Sequence, residues 1–397
     1  MVTARDVIFI SSIEWEFLWQ VHQEIATCFA NAGNRVLFVE NTGVRAPGAR
    51  DAVRIRRRVQ HWTAARPTSG VRQVASNIFV LSPIVLPPFG NLVRRLTNRE
   101  LFLRPIKRIV ERLHIRDPLI WTFLPTDTAL DLIGMLAAPA SKVVYYCGAD
   151  FSLLSSRPDR CRYTENQLLT NADIVFATCS ELVERCRAVS NNVHEVPALV
   201  NLDAFPLTRR LNNGHGSRGE DLLSRLPRPI VGYVGGLHKF CDYRLLIEMA
   251  RARPGWSWVF VGDGATNVEE LRKLANTHFP GLRPHSEVAD YIRAFDVCLV
   301  PYIANRLTAT VVPLKVNEYL AMGKPVVSSE LPAVREFNQR HRILITARDE
   351  CGPFLKSIED ALASPLDDAI IQRRRAVAAL GDSKLFFDRI STLIEAL

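Results

Sequence analysis

Short apolar runs alternate with longer amphipathic stretches through most of the chain. Val7 to Ile10 forms the first run, Ile13 to Ala32 carries a helical pattern, and Val36 to Val39 forms the second run. Runs of this length, separated by helical patterns, are typical of βαβ units, in which the strands pair in parallel. The pattern therefore predicts an α/β fold with doubly wound sheets, whose ligands bind at the carboxyl ends of the strands.

One stretch, residues 206–228, interrupts this alternation with polar residues, glycines and prolines. Such a composition favours a linker. A second βα series follows from Ile230, which indicates a second domain of the same kind. We predict an N-terminal Rossmann-like domain at 1–205, a C-terminal Rossmann-like domain at 229–365, and a helical segment at 366–397.

Residues 313–327 carry the strongest candidate chemistry. Pro313 suits the start of a helix of about three turns, and Gly323 suits the position just past its end. Lys315 lies in the first turn, where the helix dipole disfavours a cation, and no good N-cap residue precedes it. A lysine beside uncapped backbone amides favours binding of an anion such as phosphate. The alternative is a weak ion pair between Lys315 and Glu318 on one helix face.

The same segment resembles the donor-site helix of GT-B glycosyltransferases of the group-1 (family 4) type. That family has two glutamates separated by seven residues, followed by an Ala/Gly-rich turn and Pro-Val-Val. Glu318 matches the second glutamate, and the resemblance implies that it binds the ribose of a nucleotide-sugar. Thr310 stands in place of the first, so it offers a hydroxyl but no charge. Pro-Leu-Lys before Glu-Tyr-Leu-Ala is similar to the subgroup of teichuronic-acid and exopolysaccharide glycosyltransferases.

The resemblance implies two Rossmann-like doubly wound domains that face each other across a cleft. The domain at 229–365 would bind the nucleotide-sugar donor, and the domain at 1–205 would bind the acceptor. The helix at 366–397 would cross back to the first domain. Two glycine-containing turns after strands of the second domain would also contact the donor, because glycine permits close approach of a phosphate. The predicted donor-binding residues in these turns are Gly235, Gly236, Lys239, Gly262 and Asp263.

Polar and aromatic side chains follow the predicted strands of the first domain. Asp150 comes after the strand at 143–146, in a turn where the family commonly has a histidine, and it is a candidate to contact the acceptor hydroxyl. Glu16 and His22 compete with it as catalytic proton acceptors, while Asp150 could also simply stabilise its turn. The candidate acceptor-binding residues are Trp15, Trp19, Glu40 and Asn41. The alternative for the two tryptophans is half-buried core packing.

The charge distribution suggests a further partner. The 397-residue chain has a formal net charge of +9, and sixteen Lys/Arg stand against only three acidic residues between Arg45 and Arg116. Arginines interleaved with apolar residues are typical of segments that lie on anionic lipid. A solvated basic face is the alternative, and no nucleic-acid-binding module accompanies the charge. We expect a cytoplasmic protein that binds the inner face of the plasma membrane peripherally, without nucleic acid as a partner.

Cysteine usage and hydropathy argue against other classes. The eight cysteines include no C-x-x-C pair, which favours reduced thiols over a disulfide framework or a zinc site. No apolar run reaches the ~18 residues that a membrane span requires.

Together these features predict a glycosyltransferase that moves a sugar from a nucleotide-sugar to a lipid-linked glycan acceptor in cell-surface polysaccharide biosynthesis. By resemblance it would retain the anomeric configuration and require neither a metal nor another cofactor. Two alternatives stay open. One is a GT-B sugar-nucleotide 2-epimerase, against which the basic window argues. The other is a non-catalytic, nucleotide-sugar-binding partner of a polysaccharide assembly complex.

Overall fold

The computed structural model describes residues 1–40, 70–208, 223–264 and 268–397. By its contacts the chain divides into two compact units. The first unit contains Met1–Val196 together with Phe386–Leu397, and the second contains Pro197–Leu385. Part of the basic window, part of the predicted linker and the acceptor candidate Asn41 lie outside the described residues.

The first unit is built on a largely parallel sheet whose central strands are buried, as expected when both faces are covered. Its strands are β1 (Asp6–Ile10), β2 (Arg35–Val39), β3 (Val71–Ala75), β4 (Ile78–Leu81), β5 (Leu119–Thr122), β6 (Lys142–Cys147), β7 (Ile174–Ala177) and β8 (Val193–Glu195). Their spatial order is β3-β4-β2-β1-β5-β6-β7-β8, and only the β3–β4 pair is antiparallel. The order reverses beside β1, because β2 lies on one side of it and β5 on the other.

Helices connect these strands. They are α1 (Val21–Asn31), α2 (Leu92–Thr97), a π-helix (Asn98–Leu103), α3 (Arg104–Arg112), α4 (Asp127–Leu136), a 3₁₀ turn (Phe151–Leu153), α5 (Pro158–Asn171) and α6 (Ser180–Arg187). Thr126 caps α4, since its hydroxyl accepts the Ala129 amide at 3.2 Å. The Asp127 carboxylate accepts the Phe89 amide at 2.9 Å, so α4 also fixes the loop that leads into α2.

The second unit has a parallel sheet of the same kind. Its strands are β9 (Ile230–Val234), β10 (Ser257–Val261), β11 (Thr277–Gly281), β12 (Val297–Val300), β13 (Val326–Ser329) and β14 (Ile345–Ala347). Their order is β11-β10-β9-β12-β13-β14, and every pair is parallel. The direction of winding reverses between β9 and β12, which makes the carboxyl ends of these two strands the expected ligand-binding position.

The helices of this unit lie between and after its strands. They are α7 (Tyr243–Ala252), α8 (Glu269–Arg272), α9 (His285–Ala294), α10 (Arg306–Ala309), α11 (Lys315–Ala321), α12 (Pro332–His341), α13 (Cys351–Ala363), α14 (Asp368–Ala379) and α15 (Ser383–Glu395). None of the described helices has the length and hydropathy needed to cross a bilayer.

Helix α15 leaves the second unit at its start and completes the first. The Phe387 ring packs edge-on against Phe29 of α1, with centroids 4.9 Å apart. Ile390 and Ile394 are buried as well. Residues 386–397 are therefore part of the hydrophobic core of the first unit.

The structure corrects three predicted helices. Residues 13–20 are irregular and α1 begins only at Val21, because the Gln23 side-chain amide donates to the Trp15 and Leu18 carbonyls and thereby stabilises a non-helical path. Helix α11 has seven residues and begins at Lys315, so it is shorter than the predicted three turns. The segment at 366–397 is two helices, α14 and α15, with a turn between them.

Candidate functional site

The switch point of the second unit gathers most of the predicted donor-binding residues. Gly235 directly follows strand β9, Gly262 directly follows the neighbouring strand β10, and Tyr302 follows β12 on the other side. Helix α11 brings Lys315 to the same edge of the sheet.

The two glycines at this edge pack directly against each other. Gly235 has φ of +128° and Gly262 has φ of +149°, conformations that other residues rarely adopt. A Cβ at Gly262 would overlap the carbonyl oxygen of Gly235. The Gly235 amide in turn donates to the Val261 carbonyl at 2.9 Å. The close contact between the two turns therefore requires glycine at position 262.

The Lys315 side chain lies over the Gly235 turn. Its Nζ donates to the Tyr302 hydroxyl at 2.6 Å and to the Tyr233 hydroxyl at 3.3 Å. The same nitrogen is 4.6 Å from the ring centroid of Tyr233 and 4.8 Å from that of Tyr302, within cation–π range. A Cβ at Gly235 would be 3.1 Å from Nζ. The structure therefore places a positive charge directly above the glycine turn.

Tyr319 fixes α11 at the end of β9. Its hydroxyl oxygen accepts the Val234 amide at 2.8 Å, and the side chain is fully buried. Burial raises the pKa of Tyr319 well above its ordinary value, so the phenol stays neutral. Lys315 lies four residues earlier, one turn away on the same helix face. The bond between Tyr319 and Val234 therefore helps to set the position of Lys315 over the turn.

Three amides near the start of α11 donate to carbonyls of the first turn. The Val316 amide donates to the Pro313 carbonyl at 3.0 Å, and the Asn317 and Glu318 amides donate to the Leu314 carbonyl at 3.0 and 3.2 Å. These acceptors lie within the first turn itself, so the prediction of unpaired amides at the start of the helix, which concerns Leu314 and Lys315, stays a prediction. Lys315 is the positively charged side chain of this helix.

The Glu318 carboxylate faces His285 at the start of α9. The distance from Glu318 Oε1 to His285 Nε2 is 3.8 Å, and the glutamate side chain is 16% exposed. Lys315 bonds to tyrosine hydroxyls instead, so the Lys315–Glu318 ion pair that the sequence left open is not formed among the described contacts. The Glu318 carboxylate keeps a small exposed fraction beside His285, and its contact with a ribose stays a prediction.

Gly236 and Asp263 join the two glycine turns through their backbones. The Gly236 carbonyl accepts the Tyr233 hydroxyl at 3.0 Å. The Asp263 carbonyl accepts the Leu237 amide at 2.8 Å, and its side chain is exposed. Direct donor contacts by these two residues stay predictions.

Lys239 and Thr310 have surroundings that differ from that of Lys315. The Lys239 side chain is exposed, and its ammonium lies 5.4 Å from the ring centroid of Phe240. The Thr310 side chain is buried just after α10, at 1% exposed. The structure does not place either side chain on the glycine turn, and their predicted donor contacts are untested.

Sequence reasoning missed the aromatic residues around Lys315. Tyr233 is the penultimate residue of β9, and Tyr302 comes two residues after β12. The His238 ring lies 6.1 Å from that of Tyr302, and burial together with the charge of Lys315 lowers the pKa of His238 to about 4. Their positions in the sequence could have indicated these tyrosines, because Tyr233 lies near the end of one strand and Tyr302 just after the end of another, and both strands meet at the switch point.

In the first unit, His22 lies beside the carboxyl end of β1. Its Nε2 is 2.9 Å from the Ser12 hydroxyl, and its ring packs on Phe123 with centroids 3.8 Å apart. Burial lowers the pKa of His22 to about 3. The imidazole is therefore neutral at physiological pH, and so low a pKa makes it a weak proton acceptor.

Buried His22 should make the protein sensitive to acid. The folded state resists protonating His22 down to about pH 3, whereas the unfolded chain protonates it near its usual pKa of 6.5. Below pH 6.5 the unfolded state therefore binds more protons, and stability falls by up to about 1.4 kcal/mol per pH unit. His22→Gln removes this penalty, so its stability deficit relative to the parent protein should shrink between pH 7 and pH 5 in thermal unfolding. A deficit that is constant across this range would contradict the burial argument.

Asp150 is held by two hydrogen bonds from Ser152 and by two guanidinium groups. Its Oδ1 accepts the Ser152 amide and hydroxyl at 3.0 and 2.5 Å, and its Oδ2 accepts from Arg162 at 3.0 Å and Arg185 at 2.8 Å. Burial alone would raise the pKa of Asp150, but the Ser152 hydrogen bonds and the two arginines hold it below its ordinary value. Such a carboxylate is a poor proton acceptor and a well-fixed hydrogen-bond acceptor, and its catalytic role stays a prediction.

Glu40 organises the irregular segment that contains the other first-unit candidates. Its buried carboxylate accepts the Trp15 amide at 2.8 Å, the Ser82 hydroxyl at 2.6 Å and an Arg72 amino group at 3.0 Å. Arg72 also pairs with the exposed Glu16. The Glu40 carboxylate therefore stabilises this hydrogen-bond network and exposes little surface to which an acceptor could bind.

The two tryptophans differ in their packing. Trp15 packs edge-on against Phe38 of the core at 5.1 Å, and Trp19 donates from its indole to Glu24 at 2.8 Å. Their rings meet each other at 6.2 Å. Both are partly exposed, and their role in acceptor binding stays a prediction.

No group of three or more His, Cys, Asp or Glu side chains in the described ranges is arranged to hold a metal ion. Independence from metals stays a prediction.

The two units, one with a largely parallel sheet and one with a parallel sheet, agree with the predicted GT-B class of glycosyltransferases. Residues 228–364 match the family described as "Glycosyl transferases group 1". The resemblance predicted from the sequence is thereby confirmed, and the matched region forms most of the second unit.

Individual relatives agree with this match. The chain is 26% identical over 284 residues, covering 69% of its own length and 68% of the relative, to a Bacillus subtilis (strain 168) protein named as a teichuronic acid biosynthesis glycosyltransferase, TuaH. Its fold matches sucrose-phosphate synthase from Thermosynechococcus elongatus with a TM-score of 0.70 and 16% identity, covering 99% and 98% of the two chains. It also matches Anabaena HepE in complex with UDP and glucose, with a TM-score of 0.68, 15% identity and 100% coverage of both chains. The predicted GT-B fold class is confirmed.

Proposed function

We propose that this glycosyltransferase transfers a sugar from a nucleotide-sugar to a lipid-linked glycan acceptor during the biosynthesis of a cell-surface polysaccharide. The observation that carries the donor half of the proposal is the Lys315 ammonium held over the Gly235 turn at the switch point. HepE, a protein of similar fold, has been solved with UDP and glucose. The name of the Bacillus subtilis relative supports the polysaccharide context.

The proposed chemistry separates a glycosyl group from a nucleoside diphosphate. The bond between the anomeric carbon and the diphosphate oxygen breaks, an acceptor hydroxyl bonds to that carbon, and the hydroxyl proton leaves to a base or to water. Lys315 would stabilise the negative charge that develops on the departing diphosphate. Glu318 would accept hydrogen bonds from the ribose hydroxyls. Retention of configuration and independence from a metal belong to the same proposal.

The proposal places the enzyme on the cytoplasmic face of the plasma membrane as a peripheral protein. The supporting observation is the excess of arginine between Arg45 and Arg116, of which the structure describes residues from 70 onward. Anionic lipid attracts such segments, and a lipid-linked acceptor is found only at the membrane.

The test begins with donor binding. Thermal unfolding would be measured with UDP-, GDP- and dTDP-sugars. A true donor present at about 100 times its dissociation constant should stabilise the folded state by about 2.7 kcal/mol. Absence of a shift with all of them would contradict the donor assignment.

A second measurement separates the alternatives. The proposed transferase should release nucleoside diphosphate and extend a lipid-linked sugar together. A 2-epimerase would convert the nucleotide-sugar without any acceptor, and a binding partner would be stabilised by donor but release nothing.

The Tyr302 hydroxyl should contribute to donor binding through Lys315. Tyr302→Phe removes the 2.6 Å hydrogen bond that orients the ammonium. A bond of this kind is worth about 1 kcal/mol, so affinity for a nucleoside diphosphate should fall about fivefold while affinity for the nucleoside is unchanged. Calorimetric titration would measure both, with Tyr163→Phe on the exposed face of α5 as the control. Equal losses for both ligands would show that Tyr302 does not act through the phosphate site.

A further inference from the structure

Helix α2 in the first unit exposes an apolar surface. None of its residues is buried, and Leu92 and Val93 are 72% and 70% exposed. Leu96 and Leu101, further along the same helical segment, are also exposed. Monomeric proteins seldom leave several large apolar side chains together in water, and such patches commonly mark a surface for a partner or a membrane.

The surroundings of this patch are strongly basic. Exposed Arg94 and Arg99 lie among the apolar residues, and Arg104, Lys107 and Arg108 follow on α3. Arg104 is paired with Glu100 at 2.5 Å. Arg95 is paired with Asp131 at 2.7 Å. That pair ties α2 to α4, so the apolar residues are presented from a fixed element.

A basic cavity adjoins the start of α2. It has a volume of about 380 Å³, and its lining includes Phe89, Gly90, Arg94, Arg157 and Arg160. Among these described lining residues three are arginines and none is acidic. A polar cavity with this charge fits a phosphate group, which guanidinium groups bind through paired hydrogen bonds.

The loop at Phe89 and Gly90 brings two of these arginines together. The Arg160 Nη1 donates to the Gly90 carbonyl at 3.0 Å, and the Arg94 side chain lies against the Gly90 Cα, where a Cβ would collide with it. Phe89 is buried with φ of +61°, a left-handed conformation that is unusual for a bulky residue. The Asp127 carboxylate stabilises this conformation by accepting the Phe89 amide. Backbone strain of this kind is concentrated at functional sites.

We propose that the cavity lined by Arg94, Arg157 and Arg160 binds the phosphate of an anionic membrane lipid while Leu92, Val93 and Leu96 enter the bilayer. An apolar helix beside a basic cavity, which at about 380 Å³ has room for more than a phosphate group alone, matches a molecule that carries an anionic head on a hydrocarbon tail. This assignment rests on the proposed function, because it names the surface by which the enzyme reaches a lipid-linked acceptor. A soluble phosphate compound would use the cavity but would leave the exposed leucines without a role.

The experiment compares vesicle binding of the full chain and three sets of variants. Flotation with phosphatidylcholine vesicles, with and without phosphatidylglycerol, would measure the partition coefficient at low and at high salt. The cavity set is Arg94→Gln, Arg157→Gln and Arg160→Gln combined, and the apolar set is Leu92→Ser, Val93→Ser and Leu96→Ser combined. The control set removes the same charge from exposed cations of the second unit, as Arg244→Gln, Arg251→Gln and Lys273→Gln.

The full chain and the control set should bind anionic vesicles more strongly than neutral ones. Each basic residue near an anionic surface contributes about fivefold, so the cavity set should lose about 100-fold in partition coefficient. The apolar set should lose at least tenfold and keep its dependence on salt. Similar losses in the control and cavity sets would overturn the proposal, because attraction would then depend on net charge alone.

Inorganic diphosphate distinguishes the source of the phosphate. It should compete weakly with anionic vesicles, since it offers no tail to the leucines. Tight binding of diphosphate to the full chain, lost in the cavity set and unchanged in the apolar set, would assign the site to a soluble anion and overturn the lipid proposal. Self-association that disappears in the apolar set, without vesicle binding, would assign the patch to a second copy of this chain and also overturn it.

Donor binding serves as the independent readout. All three variant sets should keep the thermal stabilisation by nucleotide-sugar, because their substitutions lie outside the donor site. Loss of vesicle binding with donor stabilisation intact would confirm the surface. If the protein bound vesicles but no nucleotide-sugar stabilised it, the proposed function would be contradicted and the membrane-binding surface would be supported.

Discussion

Glu318→Ala is expected to weaken donor binding by roughly two to four orders of magnitude. Hydrogen bonds to a charged group contribute about 1.5–3 kcal/mol each, and a ribose offers two hydroxyls to the carboxylate. The half-buried position of Glu318 beside His285 limits competition from water, which keeps these bonds strong. Calorimetric titration with the best nucleoside and nucleoside diphosphate would measure the loss, and both ligands should lose equally because both contain the ribose.

Glu318→Gln should give an intermediate result, since it keeps an acceptor oxygen and loses the charge. Glu269→Ala removes an exposed carboxylate from α8 and should leave binding unchanged. Nucleoside affinity that survives Glu318→Ala would show that the carboxylate does not contact the ribose.

Lys315→Ala is expected to act on the phosphates alone. Removing the ammonium from above the Gly235 turn should lower affinity for the nucleoside diphosphate by about 10–100-fold, because one charged hydrogen bond of about 1.5–3 kcal/mol is lost. The nucleoside, which carries no phosphate, should bind as before. Turnover should fall further than donor affinity, since charge on the diphosphate grows as it departs.

Lys239→Ala provides the comparison for this prediction. The sequence offered both lysines as phosphate ligands, but the structure places only the Lys315 ammonium on the glycine turn. A large loss in Lys239→Ala together with a small one in Lys315→Ala would reverse that assignment and require movement of the segment that carries Lys239.

The elements at the donor site could be predicted because local rules and tertiary packing agree there. Apolar runs ending in glycine indicated β9 and β10, and the glycines at 235 and 262 do have positive φ. Gly323, expected just past the end of α11, has φ of +68°. The sequence did not predict the side chains that surround Lys315. Tyr233 and Tyr302 are 69 residues apart, and they come together only because β9 and β12 are neighbours in the sheet.

Prediction was weaker in the first unit for a physical reason. Residues 13–20 have a helical pattern, but side chains of Gln23 and Glu40 bind their backbone groups and hold an irregular path. Those bonds join residues on separate elements. Helix propensity and hydrophobic periodicity depend on the local sequence, so they do not predict such bonds. The environment of Asp150 is similar: the arginines that lower its pKa come from α5 and α6.

The alternative functions have different requirements. A 2-epimerase needs no lipid, so it gives no role to the exposed leucines of α2. A non-catalytic partner would accommodate Thr310 in place of the first glutamate, and measured turnover is the observation that distinguishes it from an enzyme.

The contribution of α15 to the first unit constrains the order of events during synthesis. Phe387, Ile390 and Ile394 belong to a core whose other members lie in the first half of the chain. A ribosome therefore completes the entire second unit before it supplies these residues. Until then Phe29 packs against Phe9 and Trp121 but lacks Phe387, and the nascent first unit exposes an apolar surface that chaperones can bind. A shortened chain ending at Val196 would keep that surface permanently, so it should aggregate, and adding residues 383–397 as a separate peptide should restore its solubility.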